Sequence, residues 1–225
     1  MATPTTGLEH AAQSALPPML YLASQSPRRR ELLAQWGVSC HMLVADDTED
    51  VEALEQVRRG ESPKAYVQRV TRDKLNAALQ RWAARGLPPA PVLCADTTAA
   101  KGSRLFGKPN DAAHAHAMLQ ALSGCTHRVL TSVAVAVPGG AVHQTLAVAR
   151  VRMQTITPEA MARYVASGEP FGKAGAYAIQ GAAAVWVSHL SGSYSAVVGL
   201  PAHETAQLLA KVGVDLPFAQ APHNR

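Results

Sequence analysis

Basic side chains gathered where a helix begins are the first sign of chemistry in this sequence. The stretch Leu20-Tyr21-Leu22-Ala23-Ser24-Gln25-Ser26-Pro27-Arg28-Arg29-Arg30-Glu31-Leu32-Leu33 reads as a short apolar strand, a serine-rich turn and a helix. Pro27 suits the first helical position, and Ser26 before it can cap a free backbone N–H. A helix start favours anions through its unpaired N–H groups and its dipole. Its first turn ordinarily takes Asp or Glu, so three arginines there fit either a bound polyphosphate or a solvated basic turn. Carboxylates that could act on such an anion lie further along. Asp96 interrupts the apolar run Pro91-Val92-Leu93-Cys94-Ala95. That pattern predicts a buried strand whose C-terminal end delivers Asp96 into a cleft, although a strand-end Asp also serves as a turn residue or cap. The acidic run Asp46-Asp47-Thr48-Glu49-Asp50 follows a second strand, as either a metal-binding segment or a solvated loop.

The elements that must position these groups follow from periodicity and punctuation. The first helix stops at Gly37, and residues 38–44 read as a strand. Ser62-Pro63 opens the longest helix, running to about Ala84, with Tyr66, Val67, Val70, Ala78, Leu79 and Trp82 inward. Lys74 is four residues from both Val70 and Ala78, so it lies on that inward face and either snorkels or reaches an anion at the core edge. Lys101-Gly102-Ser103 is a tight turn, and Gly107-Lys108-Pro109 holds a second lysine on a constrained loop. Asn110 or Asp111 caps a helix to about Leu122. His114 and His116, two apart, point to different faces and make a poor metal pair. Residues 128–137 and 141–156 predict a long hairpin around Pro138-Gly139-Gly140. Thr157-Pro158 starts a helix to about Ala166. Residues 168–181 are Gly-rich and fit neither period, as expected of a structured functional loop. A strand over 183–190, a turn at 191–194 and a helix from Pro201 to about Val212 complete the chain.

Composition narrows the class. A hydrophobic content of 48% against 16% charged residues describes a folded globular chain, and aromatics at only 5% leave the core to small side chains. No apolar run approaches the roughly 20 residues needed to span a bilayer. Residues 1–18 lack the pattern of a signal peptide and are expected to be a flexible extension, with one domain over 19–215 and a loose tail over 216–225. Cys40, Cys94 and Cys125 show no metal or disulfide spacing, which fits idle thiols in a reducing, cytoplasmic setting. The net charge of +5 suits an anionic partner. The basic residues are scattered without an aromatic-basic RNA-binding signature, so no nucleic acid is expected.

Four blocks, taken together, carry a resemblance. The first is Leu22-Ala23-Ser24-x-Ser26-Pro27-Arg28-Arg29-x-Glu31-Leu32-Leu33. Ala95-Asp96-Thr97 with Gly107-Lys108-Pro109, and Leu122-Ser123-Gly124-x-Thr126-His127, follow it. The last runs from Gly168-Glu169-Pro170 through Lys173-Ala174-Gly175-Ala176-Tyr177-x-Ile179-Gln180-Gly181 into Gly192-Ser193-Tyr194 and Val198-Gly199-Leu200-Pro201. In this order they resemble the Maf family of nucleoside triphosphate pyrophosphatases, and the Asp96 and Gln180 blocks are similar to its dTTP/UTP branch. The resemblance implies an α/β fold of ITPase-like type, a mixed twisted sheet with flanking helices and two lobes around a nucleotide cleft. It implies hydrolysis of a nucleoside triphosphate to monophosphate and pyrophosphate with a divalent cation, Mg²⁺ or Mn²⁺, and often a homodimer. By the same resemblance Asp96 is the proton acceptor, and Arg28, Thr97 and Gln180 set specificity. Ser24, Arg29, Lys74 and Lys108 would hold phosphate, with Asp96 and Glu49 on the metal. The family's Asp-x-Asp-Glu pattern near Glu49 reads Asp46-Asp47-Thr48-Glu49 here, a departure at Thr48. The competing expectations are a pyrophosphatase for 7-methyl-GTP or another modified nucleotide, and a nucleotide-binding division regulator.

Overall fold

Local signals set the helices. The computed structural model describes residues 20–46 and 49–218. The expected extension over 1–18 and most of the tail lie outside them. Helix α1 spans Pro27–Gln35, α2 Pro63–Ala84, α3 Ala112–Leu122 and α4 Pro158–Ala166. Three of these starts are capped by side chains, as their sequences imply. Ser62 accepts from the Ala65 N–H, Asp111 from His114 and Thr157 from Ala160. At α1 the expectation fails. Ser26 occupies the cap position without a side-chain bond, and Ser24 Oγ instead accepts from the Ser26 N–H at 3.2 Å. Two short helices complete the set, α5 over Tyr194–Val198 and α6 over Ala202–Ala210. The sequence reading had residue 194 in a turn and the last helix slightly longer.

Among the described residues, seven strands form one mixed sheet. They are β1 Leu20–Leu22, β2 Cys40–Met42, β3 Val92–Lys101, β4 Arg104–Phe106, β5 Thr126–Ala136, β6 His143–Met153 and β7 Val187–Ser191. The order is β2-β1-β3-β5-β6-β7, with β4 also on β3. β1 runs parallel to β2 and β3, and the remaining pairings are antiparallel. The long hairpin is β5–β6, paired from Thr126↔Arg152 to Val135↔His143. The run expected as strand 183–190 begins instead as a 3₁₀ turn over Ala182–Trp186.

β3 corrects one expectation. It continues to Lys101, so Asp96 sits in the middle of a strand and not at its end. Mid-strand it would ordinarily be enclosed on both edges. β5 does pair β3 along its length, but the other edge is split between two partners. β1 meets it at Val92 and Leu93, and β4 meets it from Ala99 to Lys101. The residues between face a gap in the sheet. Side-chain alternation does the rest. Cys94 packs with Leu75 and Ala78 of α2, so Asp96 shares the α2 face. Leu93 and Ala95 pack with Leu33 of α1 and Leu208 of α6, so Thr97 faces the opposite layer.

A third layer of packing fixes the Gly-rich loop. Buried Tyr177, Ile179 and Ala176 join Leu119, Leu122 and Met161 in the largest core cluster. Gly175 has φ +74, and a Cβ there would lie 3.1 Å from Ala99 Cβ and 3.3 Å from Leu122 Cδ1. Gly86, at φ +59 beyond α2, faces open space. Gly86→Ala therefore carries only the left-handed backbone cost, about 1–2 kcal/mol. Gly175→Ala adds a steric clash to that cost. Urea unfolding midpoints should place Gly175→Ala clearly below Gly86→Ala, and equal midpoints would show that the loop yields at no cost.

Candidate active site

The gap beside β3 opens into a cleft of about 610 Å³, lined from the β1–α1 turn, α2, β3 and the Gly-rich loop. Its basic side is organised by Arg29. The Arg29 guanidinium donates to the Gly199 carbonyl (2.9 Å), Ser24 Oγ (3.0 Å) and Thr97 Oγ1 (3.3 Å). All three partners are neutral, so the charge is held in place without being cancelled by direct contact. Burial pulls this guanidinium below its usual value, and the field of Asp96 opposes that pull. Thr97 also pairs with Thr131 Oγ1 at 2.9 Å, which fixes its rotamer. Three expected site residues, Ser24, Arg29 and Thr97, are thus one hydrogen-bonded unit.

Across the gap a chain of charges crosses from Asp96 to the rim. Lys74 Nζ lies 2.7 Å from Asp96 Oδ1 and 2.5 Å from Glu55 Oε1. Lys108 Nζ stands 3.0 Å from the same Glu55 oxygen and 3.2 Å from its other. Lys74 is the inward lysine that reaches an anion, and the anion here is a pair of carboxylates. Burial would lower its ammonium, but Asp96 and Glu55 outweigh that and hold it above its ordinary range. Burial would likewise raise Glu55, and the two lysines overcome it and hold its carboxyl low.

Glu55 was not singled out in the sequence. It ends a short 3₁₀ turn over Glu52–Glu55, and α2 grips that turn by its carbonyls. Arg69 donates to the carbonyls of Leu54 (3.2 Å) and Gln56 (2.9 Å), and Tyr66 Oη donates to that of Glu55 (3.0 Å). Arg69 is in turn held by Glu61 at 2.7 Å. The only local signal is Asp50, whose carboxylate accepts from the Ala53 N–H at 2.9 Å.

Glu49, the carboxylate expected beside Asp96, stands elsewhere. It makes a two-pronged pair with Arg81, both contacts at 2.6 Å, and that bond holds its carboxyl below the usual range. Arg81 lines the cleft, whereas Glu49 is not among the lining residues. The remaining expected residues converge. Arg28 and Gln180 both line the cleft, and the positive charge of Arg28 helps depress the Lys173 ammonium, after burial. That loop is tied back to Lys108 by the Gly175 N–H donating to the Gly107 carbonyl at 3.0 Å. Among the described residues no three His, Cys, Asp or Glu side chains gather as a metal cluster, and no helix is long and apolar enough to cross a membrane. The three cysteines are free thiols.

Beneath the loop, His127 Nε2 lies 2.9 Å from Tyr177 Oη, with the rings edge to face. Nearly full burial, with the nearby Lys101 charge, depresses this imidazole to about 4. Its Nδ1 is buried without a partner among the described residues.

Comparison with known proteins places these features together. Residues 19–212 match the family described as Maf-like protein. A protein of Ralstonia nicotianae named dTTP/UTP pyrophosphatase is 57% identical over 199 residues, covering 88% of this chain and 96% of that protein. One of the same name from Cupriavidus metallidurans is 58% identical over 196 residues, covering 87% and 98%. Among solved structures, a HAM1 protein from Coxiella burnetii overlaps 60% of this chain and 73% of its own at a TM-score of 0.38 and 16% identity, a likeness too loose to carry an argument.

The buried imidazole sets a pH dependence. Because the folded value lies below the unfolded one of about 6.5, the unfolded chain takes up its proton first as pH falls. Stability should be undiminished above about pH 6.5 and decline toward pH 4, by up to roughly 3 kcal/mol. His127→Gln should flatten that decline in urea titrations at pH 7 and pH 4.5. An unchanged slope would mean that His127 is solvated in solution.

Proposed function

The chain belongs to the Maf-like protein family, and we propose that its cleft hydrolyses dTTP and UTP to the monophosphate and pyrophosphate. One arrangement carries the reading. Arg29 of α1, Lys74 of α2 and Lys108 of the loop after β4 line one cleft with two carboxylates, Asp96 and Glu55, beside an open strand edge. Such a set can receive a triphosphate while a base stands beside it. The names of close relatives supply the substrate class.

Asp96 takes a proton from the attacking water, and Lys74 fixes its carboxylate through Oδ1. Glu55 pairs with Lys74 and Lys108 as an internal anion, so the triphosphate binds by taking over those two ammonium groups from it. Arg29 needs no such exchange, because its partners are neutral and its charge is already aimed. Asp96 and Glu55, hard oxygen donors that share Lys74, would hold Mg²⁺ or Mn²⁺. Glu49, held by Arg81 and not lining the cleft, is not part of that set. When bound, the cation neutralises charge on the phosphates. At the other end, Gln180 offers a donor and an acceptor and Arg28 offers donors, a set suited to the O4, N3–H and O2 edge of uracil or thymine. Cytosine presents a donor in place of O4 and would leave a donor unpaired, a cost of about 1–3 kcal/mol when buried. A house-cleaning role against stray pyrimidine nucleotides, in the cytoplasm, belongs to the same proposal.

Product identification across a nucleotide panel tests it. With Mg²⁺, dTTP and UTP should yield pyrophosphate far faster than CTP or 7-methyl-GTP, and EDTA should abolish turnover. Asp96→Asn should lower kcat by about 10²–10⁴-fold while nucleotide binding persists. Orthophosphate as the product, equal rates on all four nucleotides, or activity that survives Asp96→Asn would overturn the reading. Persisting binding without any wild-type turnover would favour the nucleotide-binding regulator.

A further inference from the structure

On the reading of the cleft just given, we propose that Glu169 is a positioning residue for base selection, and that with Tyr164 and Gly181 it clamps Gln180 in place without touching the nucleotide. Neither Glu169, Tyr164 nor Gly181 lines the cleft, whereas Gln180 does. The clamp closes on both flanks of that residue. Tyr164, 5% exposed on α4 and edge-on to Trp186, donates its hydroxyl to Glu169 Oε1 at 3.0 Å. The same hydroxyl accepts from the Ala178 N–H at 3.3 Å. The other carboxylate oxygen, Glu169 Oε2, accepts from the Ala182 N–H at 3.2 Å. Backbone amides two residues before and two residues after Gln180 are thereby fastened to one tyrosine–glutamate pair.

Gly181 makes the fit possible. A Cβ at that position would lie 2.1 Å from Glu169 Oε1 and 2.6 Å from its Cδ, so the carboxylate rests directly on the glycine. Gly181 has φ −109, open to any residue, so the requirement for glycine here is steric, and the three nearest atoms to such a Cβ all belong to Glu169. Glu169 also accepts from Lys173 Nζ through its backbone carbonyl, which ties a second cleft residue to the same anchor. Held this way, the backbone on both flanks of Gln180 is fixed, and hydrogen-bond discrimination by its side chain needs a fixed origin. The carboxylate bonds of Glu169 run to the Ala182 N–H and the Tyr164 hydroxyl, not to Asp96, Arg29 or Lys74. Loosening them should blur base choice while leaving phosphate chemistry in place.

Three variants and two substrates test the clamp. Gly181→Ala expels the carboxylate without straining the backbone, and Glu169→Ala removes it. In each, kcat/KM for UTP over CTP should fall about tenfold, mainly through KM for UTP, with kcat for UTP within about threefold of wild type. The double variant Glu169→Ala/Gly181→Ala should be no worse than Glu169→Ala alone, because the added methyl then meets no carboxylate. A UTP to CTP ratio unchanged in both single variants overturns the clamp, even if their melting temperatures fall, since a purely structural role lowers all substrates together. Additive losses in the double variant also overturn it. Wild-type protein without preference for UTP over CTP would instead overturn the proposed function itself, so the two failures are separable.

Discussion

The unpaired stretch of one strand edge is the constraint on which the rest of this structure turns. A strand in the middle of a sheet normally spends both edges on neighbours, because buried N–H and C=O groups without partners are costly. β3 instead has β1 along its first residues and β4 along its last, and the gap between them admits the cleft. Alternation then sends Asp96 to the α2 face and Thr97 to the α1 face, so adjacent residues reach the cleft from opposite layers. The two layers bring different chemistry. α2 contributes a lysine relayed through carboxylates, and the β1–α1 turn contributes an arginine held by neutral oxygens.

Charge balance explains why those two sides differ. Removing a cation from water costs several kcal/mol unless partners repay it. Lys74 is repaid by Asp96 and Glu55, so its charge is largely cancelled until another anion arrives. Arg29 is contacted only by neutral oxygens, with the field of Asp96 acting from further off, so no direct ion pair cancels its charge. The cleft can thus stay folded with the Arg29 charge not cancelled by contact and with Lys74 and Lys108 both paired to Glu55. The grip of Arg69 and Tyr66 on the turn carrying Glu55 keeps that carboxylate at its place.

Legibility in the sequence tracked how local each interaction is. The starts of α2, α3 and α4 were readable because a cap accepts from an N–H three residues away. The β5–β6 hairpin was readable from alternation around a Pro-Gly-Gly turn. Glu55 was not, because its two lysine partners lie 19 and 53 residues away and the Asp50 cap beside it marks only the turn. Glu49 looked the better choice from the acidic run around it, and only the fold shows Arg81, 32 residues on, holding it. The cap at α1 failed for a related reason. Ser24 is held by Arg29, and from that place its hydroxyl serves the Ser26 N–H.

By itself the sequence determined which side chains could do chemistry, where most helices begin, and the blocks that mark the Maf-like family. Those depend on residue type and on contacts within a turn or two, which spacing records. The tertiary structure alone decided that Asp96 lies mid-strand beside a gap, that Glu55 and not Glu49 meets Lys74, and that Glu169 grips the flanks of Gln180. Each of these depends on where a neighbouring element stops or how two elements pack. Such distances are set by the whole core, and no window along the chain contains them.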